Sequence, residues 1–226
     1  MPFIDPNKVV TNNIILGGEN NAKCAVISGP NAGGKSTILK SIILSALLAQ
    51  TITIVPANSA IITPFSYIDS YLNITDDPKA GKSLFQSEAE RVKNMISNLK
   101  ANGKSLLIAD EMLSGTNPVD AEATSTSVAK YIANLANVEN KIIALFATHY
   151  HEMTKLEKET NGIVENYKVM ANVNEIHNII SYPFKLLKGS GNQPIAIDIL
   201  KAQGFDENII TNAKMIAKQK VQAWGS

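Results

Sequence analysis

The chain has 226 residues, 45% of them hydrophobic and 18% charged, which suits a folded core and excludes a disordered chain. A net charge of +1 excludes a strong electrostatic footprint for nucleic acid. One cysteine and three histidines exclude a disulfide framework and speak against a structural zinc site. The N-terminus lacks signal-peptide features, and the longest apolar run, residues 38–48, is too short to span a bilayer. We therefore expect a cytoplasmic chain without membrane contact.

Strand and helix signals alternate along most of the chain. After irregular residues 3–21, with a short strand near 9–10 or 14–16, the predicted order is a strand at 24–28, a helix at 38–48, β-branched runs at 51–55 and 59–63, and a strand at 64–72. Next come a helix at 83–101, a strand at 105–109, a helix at 120–137, a strand at 141–147 and a helix ending near 159. A hairpin of 163–171 and 176–187, turning at 172–175, precedes helices at 195–202 and 206–220. This alternation predicts an α/β fold: a mainly parallel sheet flanked by helices, with peripheral antiparallel β elements.

A glycine-rich stretch lies between the first strand and the first helix. Residues 29–37 read Gly-Pro-Asn-Ala-Gly-Gly-Lys-Ser-Thr and fit the pattern G-x-x-x-x-G-K-[ST]. Glycines let backbone N–H groups turn towards a phosphate, and the helix N-terminus adds further donors. In such a loop the lysine reaches the β- and γ-phosphates and the serine hydroxyl binds Mg²⁺. The predicted nucleotide-binding residues are Gly29, Pro30, Asn31, Ala32, Gly33, Gly34, Lys35, Ser36 and Thr37.

Polar side chains also follow two other predicted strands. Asp110 and Glu111 end the strand at 105–109, where an Asp can hold Mg²⁺ and the next carboxylate can polarise the attacking water. His149 follows the strand at 141–147 and is either a γ-phosphate ligand or a structural histidine. Ser83 opens a helix and is either part of an anion site or an ordinary N-cap. Because ligands bind beyond the carboxyl ends of parallel strands, we expect Asp110, Glu111 and His149 near the glycine-rich stretch.

Four segments resemble, in order and spacing, the C-terminal ATPase domain of the MutS family of DNA mismatch repair proteins. They are residues 29–37, Ser-Leu-Phe-Gln-Ser-Glu at 83–88, Asp-Glu-Met-Leu-Ser-Gly-Thr-Asn at 110–117 and Phe-Ala-Thr-His-Tyr at 146–150. Residues 182–187, 196–205 and 209–216 are similar to that family's closing strand and two helices. The resemblance implies a single domain over 1–222, a P-loop NTPase of the ABC-ATPase type excised from the C-terminus of a longer protein. Residues 223–226 are then expected to be a tail or cloning scar.

The resemblance also implies roles for individual residues. Lys35, Ser36 and Thr37 would bind phosphates and Mg²⁺, and Asp110 would hold the metal with Ser36. Glu111 would be the general base and His149 the γ-phosphate sensor, so that Lys35, Glu111 and His149 are the expected catalytic residues.

Ser83 would complete the site of a partner subunit across a dimer, and residues 115–117 would lie at that interface. ATP binding would join the two domains and hydrolysis would release them. The implied cofactors are ATP and Mg²⁺, and the implied partner is a second copy or a paralogue. Mismatched or otherwise structured DNA would be bound by regions outside this chain.

Three departures from the family pattern favour a divergent MutS-related protein. Residues 9–12, Val-Val-Thr-Asn, stand where the family carries Phe-x-x-Asn, which predicts weaker or different base recognition. Residues 112–116 lack the family's arginine, and 194–197 depart from its Ser-Tyr-Gly-Ile pattern. One alternative is another ABC-type ATPase, although no Leu-Ser-Gly-Gly-Gln signature occurs. The other is a nucleotide-gated dimerisation module with little hydrolysis, against which Glu111 argues.

Overall fold

The computed structural model describes residues 9–72, 83–174, 177–191 and 193–224. Within these residues lie eight strands: β1 Cys24–Ser28, β2 Tyr67–Tyr71, β3 Ser105–Asp110, β4 Ile142–Thr148, β5 Val164–Lys168, β6 Asn172–Asn174, β7 Ile179–Ser181 and β8 Leu187–Lys188. They also contain seven α-helices: α1 Lys35–Ile52, α2 Leu84–Ala101, α3 Pro118–Glu139, α4 His151–Thr154, α5 Leu156–Glu159, α6 Ala196–Ala202 and α7 Glu207–Trp224. The α/β class predicted from the alternating signals is confirmed.

Six of the strands form one sheet in the order β2-β3-β4-β1-β5-β8. Strands β1 to β5 pair in parallel along this order, and only β8 is antiparallel to its neighbour β5. The register places Ser28 beside Thr148 and Asp110 beside Ala147. The carboxyl ends of β1, β3 and β4 therefore meet at one edge of the sheet, as predicted.

Helices cover both faces of this sheet because its central strands are apolar on both sides. On one face Val26 and Phe146 belong to a core cluster that includes residues of α2 and α3. On the other face Ile27 and Ile108 pack in a cluster with Leu39 and other residues of α1. Cys24 is fully buried in β1, and this burial raises the pKa of its thiol to about 12, so the thiol stays protonated at neutral pH.

Helix α1 is longer than predicted, and the β-branched runs after it are not strands. The helix takes in 51–52, while residues 53–66 form neither helix nor strand. Gln50 occupies both backbone groups of Phe65, donating to its carbonyl at 3.0 Å and accepting from its N–H at 2.9 Å. Pro56 and Pro64 also lack the N–H that a strand ladder needs. Of the described helices only α1 is long and apolar enough to cross a bilayer, and it packs against β3 and β4 of the sheet.

The predicted hairpin of 163–171 and 176–187 is wrong in its pairing. Strand β5 joins the main sheet beside β1, because Val164, Asn166 and Tyr167 are buried there. The hairpin is instead formed by β6, which lies in the predicted turn, and β7, which lies in the predicted second strand. Asn178, just before β7, takes a left-handed φ of 51°.

The structure differs from the predictions at three further points. No strand forms at 9–10 or 14–16, and the helix expected to end near 159 is two short helices, α4 and α5. Helix α7 continues to Trp224, so the first half of the expected 223–226 tail is helical, while 225–226 lie outside the described residues.

Candidate functional site

The glycine-rich loop, residues 29–37, closes over the end of β1 in a geometry that requires glycine. Gly29 has a φ of 132°, and a Cβ added there would lie 2.2 Å from the Val169 carbonyl oxygen. Gly34 has a φ of 92°, in the left-handed region that L-residues rarely adopt. Residues Asn31–Gly33 form a 3₁₀ turn, and no side chain caps the start of α1. The N–H groups of the first helical turn are therefore not occupied by a capping side chain and are suited to an anion.

Lys35 is a buried cation at the centre of this loop. Only 2% of its surface is exposed, and its Nζ donates to the Gly29 carbonyl at 2.7 Å and to Asn31 Oδ1 at 3.1 Å. Burial lowers the pKa of its ammonium group, while the negative charges of Glu111 and Asp110 act in the opposite direction. Among the described residues no carboxylate forms an ion pair with Lys35, so its charge is not neutralised by direct contact with an acid.

The two acids lie where β3 ends, beside the glycine-rich loop. Asp110 is the last residue of β3, and the Glu111 N–H donates to the Ala147 carbonyl of β4 at 3.0 Å. Glu111 has a φ of 49°, a costly conformation for a residue with a carboxylate side chain. Its Oε1 lies 3.4 Å from His149 Nδ1. The pKa of Glu111 is lowered mainly by its hydrogen bond with His149. Burial acts in the opposite direction and raises the pKa, while the charge of Lys35 lowers it further.

His149 is brought to this edge by the end of β4. About half of its side chain is exposed, and its ring lies 4.3 Å from that of Tyr150, between centroids. The Tyr150 N–H donates to Thr148 Oγ1 at 2.9 Å, which fixes the backbone that follows the strand. The structure therefore brings together Lys35, Asp110, Glu111 and His149, the polar residues predicted at the strand ends.

Ser83 is the N-cap of α2. Its Oγ accepts from the Gln86 N–H at 3.3 Å, and its own N–H donates to Gln86 Oε1 at 3.0 Å, which makes a capping box. Within the described chain no hydrogen bond joins Ser83 to residues 29–37. Ser83 is thus an N-cap, and its expected role in the site of a partner subunit stays a prediction.

An aromatic side chain at the site was missed from the sequence. The ring of Phe184 lies against the loop. A Cβ added to Gly34 would be 3.1 Å from Phe184 Cδ1, which shows how close the ring is. Phe184 is 45% exposed and stacks with Tyr182 at 6.2 Å between ring centroids. Asn12 fixes this segment by donating to the Phe184 carbonyl at 3.0 Å and accepting from the Leu186 N–H at 2.7 Å. The only signal in the sequence is the pair of aromatics at 182 and 184, which carries no information about the loop.

The donor set fits a metal that is bound together with phosphates. No group of three or more His, Cys, Asp or Glu able to hold a metal occurs in the described part of the chain. Ser36 lies in the first turn of α1, and Asp110 lies at the end of β3 near Lys35. One hydroxyl and one carboxylate suit Mg²⁺, which keeps waters and takes ligand phosphates instead of an all-protein cage.

Comparison with known proteins is consistent with this arrangement. Residues 25–221 match MutS domain V. The chain is 37% identical over 213 residues to the DNA mismatch repair protein MutS of Clostridium botulinum strain Hall, covering 94% of this chain and 22% of that protein. It is 37% identical over 214 residues to the DNA mismatch repair protein MutS of Clostridium tetani strain Massachusetts, covering 95% of this chain and 23% of that protein. The chain thus spans less than a quarter of the length of these curated relatives.

Proposed function

The chain belongs to the MutS family, and from that premise we propose that it binds ATP with Mg²⁺, hydrolyses it and dimerises on ATP. It would serve as the ATPase domain of a longer protein that acts in DNA mismatch repair or a related DNA transaction. The observation that carries the proposal is the meeting of the buried Lys35 with the Glu111–His149 pair at one sheet edge. A buried cation beside a glycine-rich helix start suits a polyphosphate, and an adjacent ionised carboxylate suits activation of water.

In this mechanism the chain's own residues position the phosphates and the water. The N–H groups of residues 34–37 and the Lys35 ammonium bind the β- and γ-phosphates. Ser36 and Asp110 would hold Mg²⁺, which would neutralise charge on the phosphates. Glu111 accepts the proton of the attacking water, and the lowered pKa keeps its carboxylate ionised at neutral pH.

His149 and Phe184 complete the proposed site. His149 Nδ1 faces Glu111, which leaves Nε2 as the ring nitrogen for the γ-phosphate. Phe184 lies against Gly34 with nearly half of its surface exposed, and it offers a face on which a base can stack. In this proposal Phe184 would take the place of the aromatic that residues 9–12 lack.

Single-turnover ATP cleavage by the purified chain, with and without Mg²⁺, tests hydrolysis, and steady-state turnover over a range of protein concentrations tests the composite site. A composite site, completed by Ser83 of a second copy, predicts a specific rate that rises with protein concentration. Cleavage strictly proportional to enzyme concentration down to dilute solution would contradict the composite site. ATP binding without Mg²⁺-dependent cleavage would instead favour the nucleotide-gated dimerisation module.

A further inference from the structure

Helix α2 carries a buried carboxylate that contacts the loop following Glu111. Glu88 is 3% exposed, and its Oε2 accepts from the Gly115 N–H at 2.8 Å. Its Oε1 accepts from the N–H of Ser114 at 3.3 Å and from the Ser114 hydroxyl at 3.4 Å. We propose that Glu88 is a positioning residue that couples Ser83, at the start of α2, to the loop that carries Glu111. The inference rests on the proposed function.

The Glu88 carboxylate is compensated by the loop and not by a cation. None of the ion pairs among the described residues includes Glu88. A buried carboxylate needs compensation, and here the donors are two backbone N–H groups and a hydroxyl of Ser114 and Gly115. Most of these donors come from a single short loop, so movement of that loop removes most of the partners of the carboxylate. The Tyr71 hydroxyl of β2 also interacts with Glu88. Helix α2 and the loop are therefore expected to move together.

The same loop is held at a second point by β2. Leu113 has a left-handed φ of 56°, and its N–H donates to the Tyr71 hydroxyl at 3.2 Å. Burial is the main cause that raises the pKa of Tyr71, and the nearby Glu88 charge adds to it, so the hydroxyl remains protonated. Residues 111–115 are thus held by hydrogen bonds to β4 at Glu111, to β2 at Leu113 and to α2 at Ser114 and Gly115. The position of Glu88 is linked through this short segment to the backbone of Glu111.

Packing of Gly115 against Leu84 links the loop to Ser83. A Cβ placed on Gly115 would lie 2.7 Å from Leu84 Cγ and 2.9 Å from Glu88 Oε2. Leu84 is the first residue of α2 and directly follows Ser83. The loop therefore contacts the turn of α2 that presents Ser83. In a dimer where Ser83 completes the partner's site, a change around Glu111 in one site would be transmitted through Glu88 to the other site.

The first experiment compares the ATPase kinetics of Glu88→Gln with those of Glu19→Gln, the same substitution at an exposed loop position. The amide keeps the shape of the side chain but replaces one acceptor oxygen with a donor. We expect ATP affinity to be unchanged and kcat to fall about tenfold or more, since a bond to a charged acceptor is lost. The control should retain wild-type kcat.

A double-mutant cycle separates coupling from loss of stability. If Glu88 acts through Ser83, the double variant Glu88→Gln/Ser83→Ala should be no slower than the slower single variant. Gly115→Ala, which pushes on the same contact from the loop side, should reproduce the kinetics of Glu88→Gln. Independent, multiplying losses of kcat in the double variant would overturn the coupling.

Hydrogen exchange gives a readout that does not depend on turnover. Adding ATP to the unaltered chain should change amide protection at residues 83–87, and Glu88→Gln should abolish this change while still binding ATP. An equal response in both proteins refutes the coupling alone. Failure of the unaltered chain to bind ATP refutes the proposed function, and with it the coupling.

Discussion

At the scale of single residues, the candidate site depends on charges held out of water by their neighbours. Lys35 is almost fully buried, and its Nζ makes both of its hydrogen bonds within the glycine-rich loop. Glu111 holds a left-handed backbone conformation and pairs with His149. Strained backbone and a buried cation both cost stability, and such costs concentrate at functional sites.

Lys35→Ala tests the charge at the centre of the loop. We expect ATP affinity to fall about 100-fold or more, because a desolvated charge that pairs with phosphates is lost. Fluorescence titration with a labelled ATP analogue measures the affinity. Lys40→Ala, at an exposed position on the same helix, is the matched control and should bind as the unaltered chain does. Equal affinities of the two variants would contradict a phosphate role for Lys35.

His149→Ala tests the cause of the lowered Glu111 pKa. The carboxylate of Glu111 is ionised above its pKa, so the acid limb of the pH–rate profile should lie below the usual range for glutamate. His149 is the largest of the causes that lower the Glu111 pKa. In His149→Ala the Glu111 pKa should therefore rise, and the acid limb of the profile should move to higher pH. The measurement is kcat/KM against pH, which reports the unliganded protein, for His149→Ala and for His151→Ala at the neighbouring exposed histidine. An acid limb that stays in place in His149→Ala would show that the pair does not set this ionisation.

At the scale of elements, the site is built by β1, β3 and β4, which end together, and by the glycine-rich loop that leads into α1. The parallel register puts Ser28 level with Thr148, and Asp110 level with Ala147. Buried faces on both sides of these strands fix that register, because a slip by one residue would exchange the two core clusters. The polar residues that follow the strands are thereby brought to one place.

Gly29→Ala tests how closely the loop packs on the residue after β5. The Cβ would meet the Val169 carbonyl oxygen at 2.2 Å, and φ at 132° is disfavoured for alanine, so we expect a loss of roughly 2 kcal/mol or more in the free energy of unfolding. Gly162→Ala is the control, with a φ of 86° and nothing within 4 Å of its Cβ. The free energy of unfolding of Gly162→Ala should fall only by the cost of placing alanine in a left-handed backbone conformation, about 1 kcal/mol. Chemical denaturation measures both variants, and equal losses would contradict the close approach to Val169.

At the scale of the whole molecule, the chain is a near-neutral α/β unit that spans 22% of its MutS relative from Clostridium botulinum. Its 21 basic and 20 acidic residues nearly cancel. Affinity for DNA depends largely on Lys and Arg that neutralise phosphates. We therefore expect this chain by itself to bind DNA weakly and without preference for a mismatch.

Fluorescence anisotropy with labelled homoduplex and mismatched duplex tests this expectation. The 226-residue chain should bind both with a dissociation constant of about 0.1 mM or weaker near physiological salt, and without preference for the mismatch. The homoduplex and the mismatched duplex are both linear, blunt-ended and of the same length, so that they differ only in the mismatch. Tight, mismatch-selective binding by this chain alone would contradict the expectation.

Local patterns in the sequence were sufficient for the α/β class, the parallel sheet and the meeting of the strand-end residues. The spacing of residues 29–37 and the apolar runs before Asp110 and His149 act over a few residues, and they specify each element with its terminal side chain. The β-branched runs after α1 were wrongly predicted as strands for the same reason. Local sequence does not show that the Gln50 side chain hydrogen-bonds to both the N–H and the carbonyl of Phe65.

Only the tertiary structure decided the contacts between distant parts of the chain. The pairing of β5 with β1, the place of Phe184 against Gly34 and the bonds from Ser114 and Gly115 to Glu88 all depend on how elements pack. Glu88 looks in the sequence like one more charged residue of an amphipathic helix. Its burial against backbone donors 26 and 27 residues away gives it its proposed role. Periodicity gives the face that a residue occupies, whereas its partners are set by the geometry of the packed sheet and helices.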